Sequence, residues 1–375
     1  MSKRWIGIEQ LFDGANFHNE AAICLEGESI AAIVPLRDAP VATPRLQGLL
    51  APGLVDCQVN GGGGALLNET PEALDVVCRT HARLGTTALM ATLISDSSPR
   101  LYAAAHSIRR FYGTALPGLL GLHLEGPWLS TGKRGVHGAE HLRMFDEPDF
   151  ALLELMAPMP VMVTVAPECV PPDVIARLAA LGVRVSIGHT AADANVVSAA
   201  LMAGATGFTH LFNAMPPLTA RDPGPIGVAL TEDTAWCGII LDGHHVSSTS
   251  ALLALRSKPK GKLMLVSDAM PTVGSDLTAF DLDGQLIQRH GDRLETADGG
   301  LAGAHISLID GVRYAVAQLG VPLGEALRMA SLYPARFLGL GSQIGMLAAG
   351  YRADMLLLDP ELNVQRVWIG GDEVL

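Results

Sequence analysis

Eight short apolar segments alternate with longer amphipathic ones between residues 50 and 345, and this alternation constrains the fold more than any other feature. The apolar segments read "LLAPGLVD", "TTALMATL", "GLLGLHLE", "VMVTVAP", "VRVSIGH", "TGFTHLF", "WCGIILD" and "KLMLVSD". Between them stand helical patterns such as "PEALDVVCRTHARLG" and "DANVVSAALMAG", several of which end in glycine, as helices often do. Apolar strands separated by helices predict a parallel sheet covered on both faces, and eight such units predict an α/β fold, the (β/α)8 TIM barrel.

The two ends of the chain lack the helical pattern. The first 50 residues contain short β-like pieces such as "AAICLEG" and "SIAAIVPL", and the tail "GMLAAGYRADMLLLDPELNVQRVWIGGDEVL" is similar. The termini of a domain often lie close together. We therefore predict that residues 1–50 and 346–375 form one small β-sandwich domain, and that residues 51–345 form the barrel.

Charge and cysteine usage exclude several classes of partner. The net charge is −12, without basic runs, so nucleic acid and membrane surfaces are poor partners. No stretch has the length of a signal peptide core or a membrane span. The cysteines are scattered, without a C-x-x-C pair, which argues against a disulfide framework and predicts a cytoplasmic protein; they are Cys24, Cys57, Cys78, Cys169 and Cys237.

Ionisable side chains follow six of the predicted strands, at the barrel end where such folds carry their chemistry. Each alone could be a helix cap or a turn residue, so the argument depends on their convergence. Glu125, His189 and His210 supply one carboxylate and two imidazoles, a set that suits Zn²⁺ or another first-row divalent ion. Asp268 follows the last strand and could accept a proton from water activated by that ion.

Motifs along nearly the whole chain resemble those of one family. They include "APGLVDCQVNGGGG", "LHLEGPW", "GHT", "THLFNAMPPL", "DGHHV", "LVSDAMP", "GGLAGA" and "GMLAAGYRADMLLLD", of which "LHLEGP" and "THLFNAM" are the most specific. The set resembles the N-acetylglucosamine-6-phosphate deacetylases of the amidohydrolase superfamily. This resemblance implies hydrolysis of N-acetyl-D-glucosamine 6-phosphate to D-glucosamine 6-phosphate and acetate, in amino-sugar catabolism.

The resemblance also implies how the metal site is built. Glu125, His189 and His210 match the family's metal ligands, and Asp268 matches its general acid/base. Gln58 and Asn60 stand where many amidohydrolases carry the His-x-His pair of a second metal site. Because neutral amides bind Zn²⁺ weakly, we expect one divalent ion per subunit, Zn²⁺ in the first place and Fe²⁺, Mn²⁺ or Co²⁺ as alternatives.

Six further residues match substrate-binding positions of the family. His137 in "GKRGVHGAE" matches the histidine that polarises the substrate carbonyl, and it counts as catalytic together with Asp268. The resemblance implies that the neighbouring subunit can supply the arginine, and hence a homodimer. The phosphate partners are the backbone N–H groups of Asn213 and Ala214 and the side chains of His245 and Arg221, and Leu301 completes the substrate-binding set.

Three alternatives stay open. "LAGAH", with Ala302 and His305, replaces a serine-containing "LSGS" pattern, and "DGHHV" also resembles N-acetylgalactosamine-6-phosphate deacetylases, so the sugar could be galacto-configured. Another amidohydrolase, acting on a cyclic amide or an N-acetylated amino acid, would not need the phosphate partners. A non-catalytic sugar-phosphate-binding barrel is a third alternative, but such a protein has no use for a base like Asp268 beside activated water.

Overall fold

The computed structural model describes residues 3–114 and 116–375, which contain twenty strands and ten α-helices. In chain order the strands are β1 (Lys3–Phe12), β2 (Phe17–Glu26), β3 (Ser29–Pro35), β4 (Arg45–Pro52), β5 (Leu54–Val59), β6 (Gly61–Gly62), β7 (Ala65–Leu66), β8 (Thr86–Ile94), β9 (Leu119–Glu125), β10 (Val161–Val165), β11 (Arg184–Ile187), β12 (Gly207–Phe208), β13 (Trp236–Ile239), β14 (Leu263–Leu265), β15 (Ala279–Leu282), β16 (Gln285–His290), β17 (Arg293–Glu295), β18 (Met355–Leu358), β19 (Val364–Ile369) and β20 (Asp372–Glu373). The helices are α1 (Ala73–Arg83), α2 (Ser98–Phe111), α3 (Glu147–Met156), α4 (Pro172–Ala180), α5 (Ala194–Met202), α6 (Gly224–Thr231), α7 (Ser248–Ser257), α8 (Leu308–Leu319), α9 (Leu323–Met329) and α10 (Leu332–Phe337).

The eight predicted barrel strands form one parallel sheet, which confirms the predicted fold class. Their order is β14-β13-β12-β11-β10-β9-β8-β5. The C-terminal end of β5 meets the segment that follows β14, where the Asp268 N–H donates to Gln58 O (3.0 Å) and the Asn60 N–H donates to Ala269 O (3.0 Å). This closure of the barrel places Asp268 beside Gln58 and Asn60.

Both termini contribute to a second sheet of seven strands, in the order β20-β19-β18-β4-β1-β2-β3. Strand β4 pairs parallel with β1 and antiparallel with β18, so it joins the two ends of the chain. The sheet has its own apolar core, with Ile8, Ile23, Leu50, Met355 and Trp368 among its members. The assignment of residues 1–50 and 346–375 to a separate domain stays a prediction.

The loop that follows β14 contains a three-stranded antiparallel sheet, β15-β16-β17, that the sequence analysis did not predict. A small apolar cluster holds it against the mouth of the barrel, with Leu66, Met270, Leu282, Ile287 and Leu294 among its members. Within residues 3–114 and 116–375, no helix combines the length and the apolar character that crossing a membrane requires.

Local signals fix two helix ends. The Asp193 side chain accepts hydrogen bonds from the N–H groups of Asn195 (2.8 Å) and Val196 (2.9 Å), which caps α5 directly after the strand that leads to His189. Helix α8 ends at Gly320, whose φ of 66° lies in the left-handed region that glycine adopts without strain. A side-chain cap such as that of Asp193 stabilises a helix by about 1 kcal/mol.

Candidate active site

The ends of strands β9, β11 and β12 bring the predicted metal ligands together. Glu125 is the last residue of β9, and His189 and His210 each lie two residues beyond β11 and β12. Glu125 Oε1 lies 3.0 Å from His210 Nε2 and 3.4 Å from His189 Nε2, and the two Nε2 atoms are 3.0 Å apart. A tetrahedral zinc ion with bonds of about 2.0–2.1 Å separates its ligand atoms by about 3.3 Å. The spacing of the three atoms therefore fits one first-row divalent ion.

Hydrogen bonding also presents the correct atom of His189 to such an ion. His189 Nδ1 lies 2.9 Å from the carbonyl oxygen of Lys133. A carbonyl oxygen can only accept, so Nδ1 carries the proton and Nε2 keeps its lone pair. Metal-binding histidines commonly have their other ring nitrogen fixed in this way.

The backbone turns sharply at the ends of these strands. Five of the eight described non-glycine residues with a left-handed φ angle lie there; each such angle costs of order 1 kcal/mol or more and persists where the surrounding structure enforces it. Such residues cluster at functional sites, and these five follow strands β11, β12 and β14. They are His189 (47°), His210 (30°), Phe212 (80°), Ala214 (51°) and Asp268 (52°).

Gln58 and Asn60 contact the two buried carboxylates of the site. Gln58 Nε2 donates to Glu125 Oε1 (2.9 Å) and to Asp268 Oδ1 (3.0 Å), and Asn60 Nδ2 donates to the same Oδ1 (2.6 Å). Both amide side chains are 1% exposed. The two residues in the His-x-His register therefore act as hydrogen-bond donors to carboxylates.

The two carboxylates have opposite pKa shifts. Burial, followed by the negative charge of Glu125, raises the pKa of Asp268. Burial also acts to raise the pKa of Glu125, but the adjacent imidazoles of His189 and His210 outweigh that effect and hold the pKa well below its usual range. Asp268 is therefore suited to exchange a proton, and Glu125 is suited to remain an anionic ligand.

His137 reaches the site from the loop after β9 and is almost fully buried. Burial, followed by the charge of His189, lowers its pKa from 6.5 to about 3, so the ring is neutral at physiological pH. The Ser95 backbone N–H donates to His137 Nδ1 (3.2 Å). Because Nδ1 accepts, the ring proton lies on Nε2, and His137 can donate a hydrogen bond to a carbonyl oxygen.

One cavity of about 430 Å³ contains most of the predicted site residues. Asn213, Ala214, His245 and Leu301 line it together with the metal-ligand group, His137 and Asp268. Arg221 does not line it and is exposed in the segment between β12 and α6. The predicted residues thus share one pocket within a single chain, apart from Arg221.

The predicted phosphate partners have contacts of their own. The Asn213 N–H donates to His210 O at 3.0 Å, so this group is already engaged within the chain. His245 Nδ1 lies 2.6 Å from Asp242 Oδ2, and the Asp242 carboxylate also accepts from the His245 N–H. Asp242 therefore fixes the orientation of the His245 ring.

The sequence analysis missed Lys133 and Ser95, which support or line this pocket. Lys133 lines it and fixes His189 through its carbonyl oxygen, and Ser95 fixes the tautomer of His137. Both lie in loops directly after barrel strands, so the position of these loops at the strand ends is the one signal that could have suggested them.

The glycine run after Asn60 has a packing explanation. At Gly63, whose φ is 63°, an added Cβ would collide with the hydroxyl oxygen of Thr80 on α1. At Gly61 an added Cβ would lie 2.6 Å from Ala65 O and 2.8 Å from Pro271 N. The loop therefore passes close to α1 and to the segment after Asp268, and this approach holds Asn60 at the mouth.

Comparisons with known proteins show similarity in both sequence and fold. The family described as "Amidohydrolase family" matches residues 49–374. An N-acetylgalactosamine-6-phosphate deacetylase of Shewanella sp. (strain ANA-3) is 44% identical, over 87% of this chain and 83% of that protein. The crystal structure of N-acetylglucosamine-6-phosphate deacetylase from Pasteurella multocida has a TM-score of 0.95 at 30% identity, covering 99% of each chain. A Mycobacterium smegmatis N-acetyl-D-glucosamine-6-phosphate deacetylase mutant in complex with N-acetyl-D-glucosamine 6-phosphate has a TM-score of 0.92 at 32% identity, covering 100% of each chain.

Proposed function

The chain belongs to the amidohydrolase family, and from that premise we propose that it removes the acetyl group from N-acetyl-D-glucosamine 6-phosphate, giving D-glucosamine 6-phosphate and acetate. One observation carries the proposal: a carboxylate and two imidazoles converge at metal-ligand spacing in the pocket that also contains Asp268 and His137. Named deacetylases similar to this chain along most of its length support the same reaction.

Glu125, His189 and His210 would hold one divalent ion per subunit, with Zn²⁺ as the first candidate and Fe²⁺, Mn²⁺ or Co²⁺ as alternatives. When bound, the ion supplies a Lewis acid that makes water a stronger acid and polarises the amide carbonyl. Neutral amides at Gln58 and Asn60, in place of the imidazoles of a His-x-His pair, support a site for one ion, because an amide is a weaker ligand for Zn²⁺ than an imidazole.

Asp268 moves the proton in the proposed reaction. Its carboxylate accepts a proton from the attacking water and then passes it to the nitrogen as the C–N bond breaks. The hydrogen bonds from Gln58 and Asn60 both end on Oδ1, so Oδ2 is the oxygen we assign to proton transfer. His137 Nε2–H donates to the carbonyl oxygen while negative charge develops there, which is commonly the largest contribution to catalysis.

The phosphate end of the pocket would orient the sugar. We propose that His245, oriented by Asp242, and the Ala214 N–H contact the phosphate, with Asn213 beside them. Binding energy gained there positions the acetamide against Asp268 and His137. Leu301 supplies an apolar contact in the same cavity.

A second candidate substrate is N-acetyl-D-galactosamine 6-phosphate, which the 44% identity to the Shewanella protein favours. The test is acetate release from both N-acetylhexosamine 6-phosphates and from their unphosphorylated forms, with and without a chelator. The gluco proposal predicts the highest kcat/KM for N-acetyl-D-glucosamine 6-phosphate, and a higher value for the galacto sugar would replace it. Equal rates with and without phosphate would point to another amidohydrolase reaction. No acetate from any sugar by the metal-loaded protein would support a non-catalytic barrel.

We also propose that the protein is a cytoplasmic homodimer in which Arg221 of the partner subunit reaches the phosphate. Arg221 is exposed and does not line the pocket of its own chain. Two apolar side chains are also exposed: Leu218, in the same segment, is 50% exposed, and Met202 on α5 is 85% exposed. Five free cysteines support a reducing compartment.

Mixing Arg221→Ala protein with inactive Asp268→Asn protein tests the dimer. Random exchange of subunits would restore roughly a quarter of the sites, because each mixed dimer regains one complete site. No recovery, with exchange verified by mass spectrometry, would exclude an arginine supplied by the neighbouring subunit.

A further inference from the structure

Asn60 has one polar atom that the protein leaves without a partner. Its side chain is 1% exposed and lines the cavity that contains Asp268 and His137. Nδ2 donates to Asp268 Oδ1 at 2.6 Å, whereas Oδ1 has no hydrogen-bond partner among the described residues. The orientation of the amide follows from this contact, since a carboxylate oxygen accepts and the atom facing it must be the nitrogen.

The backbone of Asn60 does not explain the unpaired oxygen. The Asn60 N–H donates to Ala269 O (3.0 Å), and its carbonyl oxygen accepts from the Leu67 N–H (2.9 Å). A buried acceptor without a partner costs about 1–3 kcal/mol, and such atoms are rare enough in folded proteins to call for a reason. A ligand that donates a hydrogen bond in this cavity would remove the cost.

Gln58 offers a comparison, because it holds Asp268 without lining the cavity. It also donates to Asp268 Oδ1, at 3.0 Å, and its nitrogen donates to Glu125 as well. Gln58 does not line the cavity, whereas Asn60 does. The two amides therefore share one contact with Asp268 and differ in what they offer to a bound molecule.

We propose that Asn60 is a further substrate-binding residue whose Oδ1 accepts the N–H of the scissile amide. This inference rests on the proposed deacetylation. The acetamide has one hydrogen-bond donor, its N–H, and the nitrogen must lie beside the carboxyl group that protonates it. Asn60 is hydrogen-bonded to that carboxyl group, so one side chain aligns the leaving nitrogen and its proton donor.

The hydrogen bond also directs the electron pair of the leaving group. When the C–N bond breaks, its electron pair goes to nitrogen, which takes the proton from the Asp268 carboxyl group and leaves as the amine. Holding the N–H on Asn60 points the developing lone pair towards Asp268. This contact therefore contributes selectivity for secondary amides, because esters have no N–H at this position.

The test compares an acetamide with the matched acetate ester. Both are built on the same 6-phosphorylated hexitol, which has no hydroxyl group next to the acetylated position, so the acetyl group cannot migrate. We expect Asn60→Leu to lower kcat/KM for both compounds, because Asp268 loses the hydrogen bond from Asn60. It should lower the value for the amide about five- to tenfold further, the effect of one lost hydrogen bond. Gln58→Leu is the matched control, which should slow both reactions by the same factor.

A second variant covers the event that Asn60→Leu does not fold. Asn60→Asp keeps an acceptor oxygen and loses the donor to Asp268, so both reactions should slow, while the ratio of amide to ester rates should not fall. An unchanged ratio in Asn60→Leu, or a ratio that falls in Asn60→Asp, would overturn the inference and leave the proposed function standing. If the native enzyme releases no acetate from either phosphorylated N-acetylhexosamine, the proposed function fails and the inference with it.

Discussion

Asp56 is a fully buried carboxyl group in β5 whose protonation should be visible in the stability of the protein. Burial raises its pKa from 3.8 to about 7, although hydrogen bonds from Ser267 and the Gln58 N–H lower it. Its Oδ2 has no hydrogen-bond partner among the described residues. Between about pH 4 and pH 7 the folded protein therefore holds a proton that the unfolded chain releases. The stabilisation that protonated Asp56 contributes is therefore complete below about pH 4 and is lost as the pH rises to about 7.

The shift of about three pKa units corresponds to about 4 kcal/mol, at 1.36 kcal/mol for each unit. Asp56→Asn keeps the shape and the acceptor for the Gln58 and Ser267 N–H groups but cannot ionise. Relative to the native protein, the free energy of unfolding of the variant should rise by about 3 kcal/mol between about pH 4.5 and about pH 8.

Urea unfolding of the metal-free native and Asp56→Asn proteins at both pH values measures this difference, and omitting metal keeps metal binding out of the comparison. Asp276→Asn is the control, because Asp276 is exposed and its environment changes little on unfolding. A native-to-variant difference that is the same at both pH values would show that Asp56 ionises as easily in the folded protein as in the unfolded chain. The argument from burial would then be wrong.

Four further predictions concern the site and its supporting loop. Asp268→Asn should keep a stoichiometric metal ion in elemental analysis and lower kcat about 10²–10⁴-fold, and full activity would exclude Asp268 as the acid/base. His137→Gln should lower kcat about 10²–10³-fold; because the pKa of His137 is about 3, the inflections of the pH–rate profile above about pH 5 should not move, and a moved inflection would contradict a neutral ring. Chelation should abolish activity until Zn²⁺ is restored, and Glu125→Gln should lose the ion on dialysis; activity that survives chelation would refute the metal site. Gly63→Ala should lower the free energy of unfolding by about 1–3 kcal/mol in urea titrations, and a loss that is no smaller in a Thr80→Ala background would show that the collision with Thr80 is not the cause.

Much of the fold could be predicted because its signals are local. Alternating apolar strands and amphipathic helices indicated eight parallel strands, and all eight lie in the barrel sheet. The predicted relationship to amidohydrolases is confirmed by the match over residues 49–374. The sheet β15-β16-β17 escaped prediction because its strands are three to six residues long and stand among glycines and charged residues, where strand periodicity is weak.

The candidate site could also be predicted only in part. The convergence of Glu125, His189 and His210 followed from their positions at strand ends, because parallel strands of one barrel direct their carboxyl ends to one mouth. The contact of Gln58 with Asp268 joins residues 210 positions apart, and no local pattern specifies a hydrogen bond over that separation. The roles of these residues and of Arg221 stay predictions.

The sequence by itself determined which chemical groups stand at the ends of which strands, since residue type and periodicity are properties of neighbouring positions. Only the tertiary structure decided which atoms those groups present. Closure of the barrel between β5 and β14 brings the amide nitrogens of Gln58 and Asn60 onto Asp268. The Ser95 N–H places the ring proton of His137 on the nitrogen away from Ser95. Hydrogen bonds depend on distances of a few tenths of an ångström and on direction, and these are set when the whole chain packs.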